Sequence, residues 1–571
     1  MPNIETRDGT ELWPPGTVYL EKANATGRGK GKIVLQPRPS RDVNDPLNWS
    51  TRRKYWNFAL VCFYVSMVAE CINAPTPTWG PMNKELGFSY EILNDSYAAG
   101  CAALGVGSIF MIPFALNYGR RPLYIITAAI QCGVSVWSAK LQTPADIIAF
   151  NVVQCFVASL AEAIVQMTIA DVFFLHQRGR MNAIYVWTWL LASNLGTLIA
   201  GFITAAQGWR WIWWWNSVVF GFSILLFYFG YEETRFVPPA VASVDPVLAD
   251  SVDKTDVGED AKTSSAGTKF VINGKDEAPE GTSSDFLGDL ESSNHASPQT
   301  DFDPAIPKKT YWQKLSIIDR ASVSSSISVS VIIQQMLQPF AILFTIPAVG
   351  HVALVYGILV GLGDVMSTTM SSFLPEPPYN WSSDSIGLMS VPKMIGVTLG
   401  AVVVGPLSDW WIIYKSRRND GVYHPEMRLW CVIPFLLFVP AGALLFGIGL
   451  SEHLSWLSIA VGLGLYNFGI APINSIAITY LTDSYKDIIG PALVSVTVIR
   501  NVFSTSFIFA LDPWEAKIGL KYVLVTILLI VCVILSGFGA FIRYGRKFRE
   551  KTVTRYEYYA KNNSHGKERR S

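Results

Sequence analysis

The chain has 571 residues, of which 50% are hydrophobic, 13% aromatic and only 16% charged, and its formal net charge is +1. Soluble domains of average composition carry about 25% charged residues, so this composition excludes an ordinary soluble protein and indicates lipid as the surrounding medium. The seven cysteines lie in apolar stretches without a C-x-x-C pair or a metal-ligand spacing, so we expect neither a metal site nor a cofactor.

Residues 1–54 contain basic residues and prolines but no apolar core, so they are a cytosolic tail and not a cleavable signal peptide. Twelve apolar stretches follow, each matching the about 20 residues that a helix needs to cross a bilayer. These predicted spans are residues 55–77, 95–117, 122–140, 145–167, 181–205, 211–232, 340–373, 384–411, 428–451, 454–482, 488–511 and 518–543. The sequence therefore predicts an all-α polytopic membrane protein with twelve transmembrane helices.

The seventh and eighth predicted spans have the least regular apolar pattern, because Pro339, Pro347 and Pro392 interrupt it. Proline lacks the backbone N–H and disfavours a helical conformation in the residue before it. Residues 327–340 are compatible with two structures, the start of a re-entrant segment or a helix lying at the membrane interface.

The basic residues around the spans predict the orientation of the chain. With the amino terminus in the cytosol, seventeen Lys and Arg residues flank the cytosolic ends of the spans and five flank the other ends. Cytosolic loops of membrane proteins carry this excess. Both termini are therefore expected in the cytosol, the second of them as a basic tail at residues 544–571.

The long segment between the sixth and seventh spans is acidic. Residues 236–308 hold fourteen Asp and Glu against five Lys, a net charge of −9, and few large apolar side chains. A segment with so few apolar side chains buries too little apolar surface to offset the conformational entropy that it would lose on folding. We predict a disordered cytosolic loop at 233–326, with a short interfacial helix near 309–320 or, alternatively, an ordinary linker there. The positive charge of the remaining chain favours membrane lipid, not nucleic acid, as a partner.

Two segments that follow the second and eighth predicted spans resemble each other. The first is Asn117-Tyr118-Gly119-Arg120-Arg121-Pro122, and the second is Gly405-Pro406-Leu407-Ser408-Asp409-Trp410. They resemble the two copies of the loop signature G-x-x-x-D-R-x-G-R-R of the major facilitator superfamily. The first keeps Gly119, Arg120 and Arg121, with Ile112 and Leu116 at the usual Gly and Asp positions, and the second keeps Gly405 and Asp409.

This resemblance implies the major facilitator fold, two pseudo-symmetric six-helix bundles at residues 55–232 and 327–543. It also implies that the two signature loops act as gates, since they hold the cytosolic side closed through charge pairs and helix-dipole contacts.

Further segments resemble fungal twelve-span members of this superfamily. Residues 45–50 are similar to the segment that precedes their first span, and residues 173–179 to the loop between spans four and five of the drug:proton antiporters. Residues 194–201 are similar to the antiporter motif, with Thr197 and Ala200 in place of its Pro and Gly. The resemblance implies the drug:proton antiporter branch, which has polyamine carriers among its relatives.

Charged residues lie inside several predicted spans, and four of them are candidates for the functional site: Glu70 in the first span, Glu162 in the fourth, Asp364 in the seventh and Arg500 in the eleventh. Each costs about 2.5–3.5 kcal/mol at a helix centre on insertion scales, so positions facing lipid are excluded. The resemblance implies that these spans line one central cavity. Carboxylates in a shared chamber do not all ionise easily, so we expect substrate and proton coupling at these residues. The alternative is structural, with Arg500 clamping the two halves through a permanent pair.

Other polar and aromatic residues within the spans are candidates for lining a cavity, namely Trp187, Asn194, Tyr356, Tyr466 and Asn467. Aromatic faces suit flat or cationic organic molecules, and ordinary packing is the alternative for each side chain. Asn94 and Asn380 begin N-x-S sequons in loops predicted to lie outside the cell, so both are expected to be glycosylated.

No G-x-x-x-x-G-K-[ST] segment occurs, which excludes ATP as the driver. We predict a proton-coupled secondary transporter that exports a small organic compound, as a monomer in the plasma membrane. Uptake of polyamines or other organic cations is the alternative. A membrane-embedded enzyme would need a nucleophile or metal cluster that the sequence lacks. If the protein were a non-transporting receptor, Glu162→Gln would leave any flux unchanged.

Overall fold

The computed structural model describes residues 6–7, 10–11, 14–19, 40, 42–236, 309–316, 329–419 and 422–568. The predicted acidic loop at 233–326 lies mostly outside these ranges. Among the described residues, twelve helices are long and apolar enough to cross a membrane, as the sequence predicts.

The helices follow one another through nearly all of the described chain. They are α1 (Thr51–Asn73), α2 (Trp79–Leu86), α3 (Tyr90–Tyr118), α4 (Arg121–Ala139), α5 (Pro144–Val172), α6 (Leu175–Gln207), α7 (Trp209–Gly230), α8 (Tyr311–Lys314), α9 (Val329–Thr345), α10 (Pro347–Phe373), α11 (Ser383–Leu388), α12 (Ser390–Arg417), α13 (Glu426–Leu429), α14 (Phe438–Ser451), α15 (Trp456–Ser484), α16 (Ile489–Ile518) and α17 (Leu520–Glu568).

Short elements complete the described structure. The 3-10 helices are Pro46–Asn48, Thr76–Thr78, Trp430–Phe435 and Lys486–Ile488. The strands are β1 (Thr6–Arg7), β2 (Thr10–Glu11), β3 (Val18–Tyr19) and β4 (Val422–Tyr423). β1 pairs with β2 and β3 with β4, each pair antiparallel, with Val18 opposite Tyr423.

The seventh span differs from its predicted range of 340–373. Residues 329–345 form a separate helix, α9, and the spanning helix α10 begins at Pro347. Ile346 is extended, with φ −116° and ψ 101°, because proline disfavours a helical conformation in the preceding residue. Residues 329–340 of the segment predicted to be re-entrant or interfacial therefore form the greater part of α9, and residues 327–328 lie outside the described part of the chain.

Two predictions near the membrane surface also need correction. The interfacial helix expected near 309–320 is a single turn, α8, and residues 317–320 lie outside the described part of the chain. The predicted basic tail at residues 544–571 is helical over most of its length, because α17 continues beyond the predicted twelfth span to Glu568.

The same helix pairings recur in both halves of the molecule. In the first half α3 packs on α5, α4 on α7 and α1 on α6, which are spans two and four, three and six, and one and five. The second half repeats these pairings with α12 on α15, α14 on α17 and α10 on α16. Each half has its own large apolar core. The halves meet mainly where α3 packs on α16 and where α6 packs on α11 and α12.

Because the helices alternate in direction, the start of α1 and the outer part of α17 lie on one face of the bundle. We call it the chain-end face, and the other the opposite face. Residues 42–50 pack on the first half of the chain-end face, where Lys54 Nζ donates to the main-chain oxygen of Leu47 at 2.9 Å.

Candidate functional site

An ion pair joins the two halves in the middle of the spans. Arg500 of α16 donates through Nη2 to Glu162 Oε1 of α5, and the Glu162 side chain is only 4% exposed. The second carboxylate oxygen, Oε2, is buried and has no hydrogen-bond partner in the described part of the chain. Tyr185 on α6 donates to the main-chain oxygen of Glu162 at 3.5 Å.

A second pair of charges lies beside the first, within the second half. Ser504 of α16 donates to Asp364 Oδ2 of α10 at 2.6 Å. Lys393 of α12 is buried, and its Nζ donates to Ser367 Oγ of α10 at 2.9 Å. Asp364 is within electrostatic range of Arg500, Lys393 and Glu162.

These four residues form a row of alternating charge that runs from α5 through α16 and α10 to α12. The order is Glu162, Arg500, Asp364 and Lys393, and we call it the charge row. Arg500 and Ser504 are four residues apart on α16, so their side chains lie next to each other on one face of the helix. With all four side chains ionised the row is neutral, which lowers the cost of holding it away from water.

Aromatic hydroxyl groups surround the charge row. Tyr356 of α10 lies within electrostatic range of Arg500 and Glu162. Tyr466 of α15 is buried, donates to the main-chain oxygen of Leu359, and lies within range of Asp364. Two of the predicted cavity residues thus lie at the charge row.

The other three predicted cavity residues lie elsewhere in their helices. Asn194 and Asn467 each donate to a main-chain oxygen of their own helix, at 2.8 and 2.9 Å. Trp187 is 39% exposed. The structure records no contact between these three side chains and the charge row.

Glu70 is separate from the other three predicted charges. Its Oε1 accepts from Asn216 Nδ2 of α7 at 3.5 Å. Gly196 of α6 packs directly against it, since a Cβ added there would lie 2.3 Å from Glu70 Cγ. Glu70 therefore lies between α1, α6 and α7 of the first half, and the expectation that all four charges meet in one place is corrected for this residue.

The first signature loop is held by one carboxylate on the chain-end face. Gly119 has φ +103° and turns the chain between α3 and α4. Glu233, just after α7, accepts from the main-chain nitrogens of Arg120 and Arg121 at 3.0 Å each. Arg120 also pairs with Asp171 at the end of α5, with an N–O distance of 3.2 Å. The Glu233 carboxylate lies at the amino terminus of α4, where the helix dipole favours a negative charge.

The second signature segment is not a loop, so that prediction is wrong. Gly405 lies inside α12, which continues to Arg417, and no atom lies within 4 Å of where its Cβ would be. The side chain of Asp409 lies outside the described part of the structure. Ser408 of this segment accepts from Arg428 of α13 at 3.1 Å, and Arg428 also pairs with Asp483 at 3.3 Å.

The amino-terminal segment Pro14–Tyr19 lies on the second half of the chain-end face. Its strand β3 pairs with β4, which precedes α13. Arg549 of α17 donates to the main-chain oxygen of Pro15 and, at 3.3 Å, to Thr17 Oγ1. Gly16 has φ +84°, and a Cβ there would lie 2.5 Å from the main-chain oxygen of Asp483.

On the opposite face the two halves are in direct contact. Asn94 of α3 donates through Nδ2 to Asp512 of α16, with distances of 3.0 and 3.2 Å to its two oxygens. A Cβ on Gly201 of α6 would lie 2.6 Å from the main-chain oxygen of Ser383 and 3.0 Å from Gly387 Cα. These backbones approach closely because neither glycine has a side chain.

This contact corrects one glycosylation prediction. Asn94 is 1% exposed and its side-chain nitrogen is bonded to Asp512, so a glycan on that nitrogen is incompatible with this structure. Asn380 is exposed, and glycosylation there stays a prediction.

Lys393 is absent from the sequence-based set of site residues. It lies inside the predicted span 384–411, beside Pro392. The signal that singles out Glu162, an ionisable side chain in an apolar span, applies to it equally.

The comparisons with known proteins agree with this architecture. The sequence model described as Major Facilitator Superfamily matches residues 58–504. An uncharacterized MFS-type transporter of Schizosaccharomyces pombe is 31% identical, over 95% of this chain and 94% of its own. Protein HOL1 of Saccharomyces cerevisiae is 29% identical, over 94% and 92%. The solved structure of the proton:xylose symporter XylE superposes with a TM-score of 0.53 at 12% identity, over 86% of this chain and 97% of its own.

Proposed function

The chain belongs to the major facilitator superfamily, and we propose that it is a proton-coupled transporter that exports a small organic compound by alternating access. The observation that carries this proposal is the ion pair between Arg500 and Glu162, which joins the two halves away from either face. A charged contact between two bundles that must move against each other is broken or exchanged in every cycle. A proton or a substrate group that competes for Glu162 therefore changes which state of the transporter is favoured.

The energetics suit this coupling. Moving one proton down the membrane potential is worth about 2.3 kcal/mol per 100 mV. A tenfold concentration gradient of a neutral compound costs about 1.4 kcal/mol, so one proton per molecule suffices. We propose the chain-end face as the cytosolic face and the plasma membrane as the location, with the protein acting as a monomer.

Uptake of an organic cation is the second candidate. It is favoured by five carboxylates near the opposite face, where α3 begins, α16 ends and α10 is followed by a loop. Each of them lies within electrostatic range of at least one other member of the group. The five are Glu91, Asp95, Glu376, Asp512 and Glu515. Such a group of like charges attracts cations from the solution on that side.

Reconstituted vesicles test both candidates. The purified protein is placed in liposomes that contain a pH-sensitive dye, and a panel of lipophilic cations, fungal metabolites and radiolabelled spermidine is supplied under an imposed pH gradient. Export coupled to proton entry predicts proton flux driven by a compound on the chain-end face, abolished by Glu162→Gln and retained in the matched exposed control Glu550→Gln. Accumulation of spermidine from the opposite face selects uptake, and compound flux that is independent of pH and of Glu162 rejects proton coupling.

A further inference from the structure

Lys393 is a buried cation whose role is not assigned by the resemblance to known transporters. It is 8% exposed, and its ammonium donates to Ser367, three residues after Asp364 on the same face of α10. A lysine ammonium has three donors and no acceptor, and it is costly within a membrane unless an anion is near. The nearby anion is Asp364, which is within electrostatic range.

Five helices contribute charged or titratable groups to the surroundings of Asp364. The charged and titratable groups within electrostatic range are Arg500 of α16, Glu162 of α5, Lys393 of α12, Tyr97 and Cys101 of α3 and Tyr466 of α15. Of the two cations, Arg500 already donates to Glu162. Lys393 donates to a serine hydroxyl, so its full charge is available to balance Asp364.

We propose that Lys393 is an internal counter-cation of Asp364, which a proton or a cationic group of the substrate replaces during transport. This inference rests on the proposed function and names its substrate class, an organic cation. Asp364 with Lys393 beside it is neutral. A proton and a substrate cation bound there together leave uncompensated positive charge, so binding of either favours release of the other, which is the condition for exchange.

Infrared spectroscopy tests the charge pairing without a known substrate. The full-length protein in lipid nanodiscs is titrated, and the carbonyl band of a protonated carboxyl group that disappears in Asp364→Asn is assigned to Asp364. In Lys393→Met this band should appear at a pH at least about one unit higher than in the unsubstituted protein, because a carboxylate without its counter-cation binds a proton more readily. Lys393→Arg keeps the charge and should leave the band where it was.

A band at the same pH in Lys393→Met, an equal shift in Lys393→Arg, or no band that Asp364→Asn removes would each overturn the proposal. Lys393→Gln gives the same comparison if Lys393→Met does not fold. In vesicles, Lys393→Met should lower the half-saturating concentration of spermidine several-fold, and Lys393→Arg should not. If the infrared shift occurs but no compound drives proton flux, the counter-cation assignment stands and the proposed function fails.

Discussion

Arg549 and Glu426 form a two-pronged ion pair on the chain-end face, with N–O distances of 2.8 and 2.7 Å and no exposed surface on the Arg549 side chain. In the first half, an acid after the sixth span, Glu233, binds the start of the third span. In the second half, the base Arg549 after the predicted twelfth span binds the acid Glu426 at the start of the ninth span. The same junction is thus made twice, with the charges reversed.

We expect Glu426→Gln to destabilise the second half strongly. Removing one partner of a buried ion pair leaves an uncompensated charge, which costs about 3–5 kcal/mol. The measurement is the thermal unfolding temperature of the detergent-solubilised protein. The matched control is Glu550→Gln, which breaks an exposed pair with Arg546 on α17 and should change stability by no more than about 0.5 kcal/mol. Equal effects of the two substitutions would contradict the role of the buried pair.

Gly16→Val should detach the amino-terminal segment Pro14–Tyr19. The residue has φ +84°, and any side chain there meets the main chain of Asp483 and Ser484, so valine fits neither the backbone conformation nor the space. Hydrogen exchange of the amides at 422–424 measures the outcome, because β4 loses its partner strand. Pro14→Ala, two residues earlier, should leave this protection intact. Unchanged protection in Gly16→Val would mean that the segment is not held in this way.

Docking of the same segment should weaken as the pH falls. Burial, together with the neighbouring Arg549 guanidinium, holds the pKa of His424 below its ordinary value. His424 Nδ1 is 3.5 Å from Thr17 Oγ1. Since the folded pKa is the lower one, this stability is fully present above an unfolded pKa of about 6.5 and is lost as the pH falls through the folded pKa.

The test compares the unfolding temperatures of the unsubstituted protein and His424→Gln at about pH 7.5 and about pH 5.5. The advantage of the unsubstituted protein over His424→Gln should shrink at the lower pH. A difference that is independent of pH would show that His424 does not titrate with this docking.

Gly201→Val should open the opposite face. The contact of α6 with α11 needs a residue without a side chain at Gly201, so valine destabilises the arrangement in which this face is closed. Spin labels on the exposed residues Ala206 and Ser382 would report the change as a longer distance between α6 and the start of α11. Gly221→Val on α7, where no atom lies within 4 Å of the added Cβ, is the control. A distance distribution equal to that of the control would exclude this role for Gly201.

The apolar pattern of the sequence by itself determined the twelve spans and the presence of charges within the membrane, and the resemblance to the superfamily implied the division into two bundles. The apolar pattern did so because a bilayer offers no partner for backbone polar groups, which forces long apolar helices and makes every buried charge conspicuous. The sequence also indicated that Pro347 interrupts the apolar pattern, but it did not indicate that the preceding residues form the separate helix α9.

Only the tertiary structure decided which side chains meet. Glu162, Arg500 and Asp364 come together with the unpredicted Lys393, whereas Glu70 turns toward Asn216 and Asn94 is buried against Asp512. These outcomes depend on the rotation of each helix about its axis and on packing between helices that are hundreds of residues apart. One residue along a helix turns a side chain by about 100°, so spans known to within a few residues leave its direction undetermined.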